Sequence, residues 1–191
     1  MLWLNILIYM GSLYGLTKLT QNYEKGKTIV SLIHATFIFS YVFWTIYFSL
    51  QTDERMIKSV LFSFSYLMID SFVNKSPRHI SIYIHHILVS IGELYSLYSG
   101  TYPIAFYTYL GESFSVFLHI RTLTTISIIK TFSEIGVVIT CFFGRIILSI
   151  YCWIWVLKTE DKIALGIYTG YILLNFYWGG IILGKLRKKL L

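Results

Sequence analysis

The chain has 191 residues, of which 56% are hydrophobic, 18% aromatic and only 13% charged, with a mean hydropathy of +0.67. A soluble domain carries about twice that charge fraction, and the long apolar blocks lack the alternation of β-barrel strands, so an all-α polytopic membrane bundle is expected. The net charge of +7 does not point to nucleic acid, because the basic residues sit at the ends of the apolar blocks, where membrane topology places them.

At about 20 residues per span, the chain accommodates about seven transmembrane helices, at 2–17, 29–50, 56–73, 79–98, 102–120, 132–157 and 163–184. They make a single transmembrane domain over 1–191 with no room for a soluble domain, ending in a basic tail at 185–191. The first block lacks the basic start and small-residue cleavage site of a signal peptide, so it is read as an anchor. Polar breaks follow at KLTQNYEKGKT, QTDER, NKSPR, SGTYP, the segment after Arg121, and KTEDK. Pro103 opens the fifth span, where a missing N–H costs nothing. Cys141 and Cys152 share a helix face about 16 Å apart along the axis, too far to pair.

Charge bias orients the bundle. Lys18, Lys25, Lys27, Lys75, Arg78, Arg121, Lys130, Lys185, Arg187, Lys188 and Lys189 fall on the odd connections and the tail. Only Arg55, Lys58, Lys158 and Lys162 fall on the other side, with Asp53, Glu54, Glu160 and Asp161 beside them. The odd connections and the C-terminus are therefore expected in the cytosol. The last four residues, Lys188-Lys189-Leu190-Leu191, resemble a dilysine signal, through which cytosolic coat proteins retain proteins in the endoplasmic reticulum. A snorkelling basic anchor is the plainer reading of those lysines.

The span 79–98 carries His85, His86 and Glu93, although an ionisable group at the centre of a bilayer costs on the order of 3 kcal/mol or more. Such groups face a bundle interior or a watery cavity and carry function. Helical rise places His85 and His86 in the cytosolic half with four other titratable groups. These are His34 in span two, Asp70 near the end of span three, and Glu112 and His119, which share one line of span five with Ser115. His34 alone reads best as bonded to a neighbouring carbonyl. Asp70 and His119 also suit an interface. Glu93 follows His86 on the same face but lies deeper, so it either orients that ring or bridges helices. Arg145, mid-span in FFGRIILSIY, needs a carboxylate partner. His85 and His86 point about 100° apart, so one can face a cavity while the other meets a neighbouring helix.

Histidine in such a cluster serves as a base or as a nucleophile toward an activated acyl group. A carboxylate on its other nitrogen would fix the tautomer and stabilise positive charge, as in a triad without serine. Histidine and carboxylate are also metal ligands, but the histidine boxes of membrane di-iron oxygenases are missing from a chain with five histidines, and no metal is expected. Haem ligation between His34 and His85 or His86 stays open on sequence alone.

Five pieces in order and spacing resemble the TLC-domain family, the superfamily of the ceramide synthases: SLIHA at 31–35, YLMID at 66–70, IHHILVSIGELYSLYSG at 84–100, LGESFSVFLHIR at 110–121 and FFGRIILSIY at 142–151. The resemblance implies membrane helices around a polar cavity open to the cytosol. It also implies that His85 and His86 handle an acyl group passing from coenzyme A to a sphingoid-base amine, with Glu112 or Asp70 orienting them. His34, His119, Arg145 and Glu93 would contact substrate. Ser115 stands where the synthases carry a second aspartate, and their later LExxK-like piece is missing, with His119 and Arg121 in that region. These departures bring the chain nearer the branch with a TLC domain alone. Expected partners are membrane lipids, acyl-coenzyme A, a second copy in a homodimer, and coat proteins at the tail, with no permanently bound cofactor. An N-acyltransferase of the endoplasmic reticulum and a non-catalytic protein that binds, moves or senses a lipid are the two readings carried forward.

Overall fold

In the computed structural model the described residues are 2–73 and 80–190, with side chains described at 4–71 and 80–185. Within them the chain is all helical. It forms seven rods: α1 (Leu2–Thr20), α2 (Tyr23–Tyr47), α3 (Asp53–Val73), α4 (Ile80–Ser99), α5 (Tyr102–Thr108) running through a 3-10 turn at Tyr109–Gly111 into α6 (Glu112–Leu123), α7 (Ser127–Thr140) running through a π turn at Cys141–Ile147 into α8 (Leu148–Leu157), and α9 (Lys162–Leu190). Four stretches are long and apolar enough to cross a membrane: Tyr23–Tyr47, Ile80–Ser99, Ser127–Leu157 and Lys162–Lys185. The expected NKSPR break with Lys75 and Arg78, the first residue of the 79–98 span, and the side chains of Arg187, Lys188 and Lys189 lie outside the described residues, as does Leu191.

Helices run further into the polar connections than hydropathy suggests. The KLTQNYEKGKT break shrinks to Gln21 and Asn22, with Gln21 in the left-handed region at φ 50°. Asn22 caps α2 by accepting the Lys25 N–H at 3.0 Å, and Glu24 pairs with Lys27 one turn on at 2.8 Å. Capping and an i,i+3 ion pair hold a helix start that needs no apolar residue. The 185–191 tail is likewise a continuation of α9 as far as Leu190.

α2, α6, the π turn, α9, α4 and α3 follow one another around a central space, and α1 lies outside over the seam between α2 and α3. At one end Ile38, Val42, Met56, Val60, Ala105, Phe106 and Tyr109 close the bundle with an apolar plug. At the other end the helices part. That end carries the odd connections and the described basic residues Lys18, Lys25, Lys27, Arg121, Lys130 and Lys185.

Two glycines set how closely the wall helices meet. A Cβ on Gly111 would stand 2.9 Å from the Gly144 carbonyl oxygen, and one on Gly144 would stand 3.1 Å from Ser113 Oγ. The 3-10 turn and the π turn therefore touch backbone to backbone, which only side-chain-free residues permit. Residue 112 begins where one irregular turn ends, and residue 145 lies within the other. Irregular turns of this kind re-aim side chains that a straight helix would send elsewhere.

Candidate functional site

A cavity of about 570 Å³ runs from the parted end toward the plug. Glu24, Lys27, Thr122 and Lys185 ring its mouth, while Ser63, Glu93, Thr108, Tyr109 and Tyr168 line its inner end. The eight ionisable residues singled out in the sequence, His34, Asp70, His85, His86, Glu93, Glu112, His119 and Arg145, all line it.

The best-defined pair is on α3 and α4. His86 Nδ1 lies 3.0 Å from Asp70 Oδ2, with both side chains at most 10% exposed. This is an ion-pair distance without the alignment of a straight hydrogen bond. A carboxylate on Nδ1 favours the tautomer that leaves Nε2 with its lone pair. His85 points elsewhere, as the spacing of adjacent helical residues requires. Its ring centre is 5.6 Å from that of His86 and 4.9 Å from that of Trp178, and its Nδ1 is buried with no partner among the described residues.

Arg145 finds the expected carboxylate, at 3.6 Å between Nη2 and Glu112 Oε1. The same Nη2 donates to Ser115 Oγ at 3.0 Å. The guanidinium lies between two rings, 4.7 Å from the Phe114 centroid and 5.1 Å from that of Trp178, so cation–π attraction adds to a long ion pair. Its Nε and Nη1 have no partner among the described residues. Glu112 is thereby committed to Arg145, and Asp70 is the carboxylate that meets a histidine.

His34 does not bond a backbone carbonyl. Its Nδ1 shares a 2.6 Å hydrogen bond with Tyr9 Oη of α1, and its ring stacks on Tyr66 at 3.9 Å and 13°. The carbonyls of α2 are spent in the helix, so a hydroxyl from another helix takes their place. Glu93 bridges helices and does not orient His86: Tyr109 Oη donates to its Oε1 at 2.6 Å. Its Oε2 has no hydrogen-bond partner among the described residues. His119 lines the cavity on the α6 face that carries Glu112 and Ser115.

Sequence reasoning missed the contribution of α9. Tyr171 and Trp178 flank His85, and fully buried Asn175 donates to Ser149 Oγ at 2.8 Å. Ser149 Oγ in turn donates to the Arg145 carbonyl oxygen. The signal available was the i,i+4 spacing of Tyr171 and Asn175, with Trp178 one turn on, along one face of the helix. Among the described residues no group of three His, Cys, Asp or Glu is arranged to hold a metal ion. No protein-family model, curated protein or solved structure matches the chain.

Proposed function

We propose that the protein is an integral membrane protein with seven spans, resembling the ceramide synthases, that moves a fatty acyl group from coenzyme A to a lipid amine. The observation that carries this reading is the 3.0 Å approach of Asp70 to His86 inside a cavity large enough for a chain. His86 Nε2 attacks the thioester carbonyl, and the coenzyme A thiolate leaves. The lipid amine then attacks the acyl-imidazole, the amide forms, and the ring returns to its starting state with the amine's proton released. Asp70 holds the ring and stabilises the cation that develops on it. The spare Arg145 N–H groups and the basic mouth attract the anionic co-substrate. With the mouth on the basic side, the charge bias supports an opening to the cytosol, where acyl-coenzyme A is found.

The test is the intact mass of the purified protein after incubation with mixed long-chain acyl-coenzyme A, alongside His85→Ala and His86→Ala. A gain of one acyl chain that requires His86 supports transfer through the imidazole. Full product formation by both variants ends the idea.

One observation favours a second reading, a non-catalytic protein that binds or moves a lipid. Ser115 holds the place of a second carboxylate and is bonded to Arg145, and Glu112 is paired there too, so neither stands beside His85 or His86. That reading predicts a co-purified lipid, released unchanged on denaturation, and no adduct.

A further inference from the structure

The inner end of the cavity is polar, although an alkyl chain would end there most easily against apolar side chains. Glu93 is 2% exposed and Tyr109 4%, and both line the cavity where it meets the apolar plug, to which the Tyr109 ring belongs. Tyr109 Oη donates to one carboxyl oxygen of Glu93 at 2.6 Å. The Ser63 hydroxyl is the other polar neighbour of this pair, but Oε2 itself has no hydrogen-bond partner among the described residues, and no cation forms an ion pair with this carboxyl group among them. Glu93 follows His86 by seven residues on one face of α4, which sets it about 10 Å deeper along the axis.

We propose that this inner end is a subsite for a hydroxyl carried at the far end of the ligand's chain, received by Glu93 Oε2. The proposal rests on the reading that the cavity holds a lipid chain. A chain that fills the cavity displaces water from its inner end. A methyl terminus then leaves Oε2 buried and unsatisfied, whereas a hydroxyl terminus of matching length restores a hydrogen bond to it. A site built to bond a hydroxyl discriminates strongly against the analogue that lacks it, because its own polar group is stranded. The position of Glu93 makes the preference length-dependent, since a shorter chain does not reach it and a longer one cannot pass the plug.

The experiment measures displacement of a fluorescent fatty acid from the full chain in lipid nanodiscs. The competitors are saturated fatty acids of graded length and their ω-hydroxy counterparts. We expect one length at which the hydroxylated acid binds about tenfold more tightly, equivalent to ~1.4 kcal/mol. Glu93→Leu should reverse that preference and Glu93→Gln, which keeps an acceptor, should retain it. Should Glu93→Leu not fold, Tyr109→Phe decides. It keeps the carboxylate, removes its internal donor and should widen the preference, and an unchanged or lost preference counts against the subsite. Plain fatty acids that bind without any preference for the hydroxyl at any length overturn the subsite alone. Displacement by neither series overturns the lipid-chain reading and the subsite with it.

Discussion

Asp70 Oδ2 and His86 Nδ1 meet at 3.0 Å across the junction of α3 and α4, at the mouth side of a cavity whose other carboxylates are engaged elsewhere. Glu112 faces Arg145 and Glu93 faces Tyr109. Asp70→Asn keeps the shape of the side chain but removes the charge that stabilises an imidazolium. The expected result is acyl labelling slowed by about 10²-fold or more, with unchanged thermal unfolding of the purified protein. Time-resolved intact mass checks the first and a melting curve the second. Labelling at the wild-type rate would remove Asp70 from the chemistry.

The close approach of Gly111 and Gly144 leads to a second prediction. Gly111→Ala places a methyl group 2.9 Å from a backbone carbonyl oxygen, which cannot swing aside as a side-chain tip can. The 3-10 and π turns must separate, at a cost of about 1–3 kcal/mol for overpacking, and Glu112 moves away from Arg145. The guanidinium, 4% exposed, then loses its nearest carboxylate. Unfolding in nanodiscs should shift down in temperature. Adding Glu112→Gln to Gly111→Ala should cost less than the sum of the two changes, because they remove the same ion pair.

The Tyr9 hydroxyl accounts for a third. It is the hydrogen-bond partner of His34 Nδ1 at 2.6 Å and joins α1 to the wall of the cavity. Tyr9→Phe leaves the ring packing against Phe62 and Tyr66 in place but strands a buried imidazole nitrogen. The expected loss is about 1–3 kcal/mol. His34→Phe in the Tyr9→Phe background should recover part of it, since a phenyl ring still stacks on Tyr66 and asks for no hydrogen bond. A denaturation series over the two single variants and the double variant measures this directly.

Helix positions are readable because apolar blocks of span length leave few alternatives, and His34, His86 and Glu112, which the helical rise brings to one end of the bundle, line one cavity. What hydropathy does not encode is direction around a helix once its period changes. The 3-10 turn at Tyr109–Gly111 and the π turn at Cys141–Ile147 leave no hydropathy signature, so the meeting of Arg145 with both Phe114 and Trp178 was beyond the spacing argument. Gly111 and Gly144 were the available hints. Tyr109 and Trp178 were hidden for a different reason: in a membrane sequence, tyrosine and tryptophan read first as interface anchors. The bond from Tyr109 to Glu93 needs the tertiary fold.

The last prediction concerns the end of the bundle opposite the mouth. Asp161 caps α9 by accepting the N–H groups of Ile163 and Ala164, each at 3.0 Å, and it accepts the Tyr95 hydroxyl of α4 at 2.9 Å. The Ala164 backbone N–H foremost, with the Tyr95 hydroxyl and the Ile163 N–H, holds its carboxyl below the usual aspartate value, against a smaller opposing effect of burial. A depressed folded-state pKa means that the stabilisation is complete above the unfolded value, about 3.9, and is lost as pH falls through the folded value. Asp161→Ala should therefore lower the melting temperature at neutral pH, and the gap to the wild type should close on acidification below about pH 4. Tyr95→Phe should reproduce part of the neutral-pH loss, because it removes the tie to α4 and leaves the cap. Melting curves of the three proteins across a pH series decide the point, and a gap that stays constant into acid would show that the contribution of Asp161 does not depend on its charge.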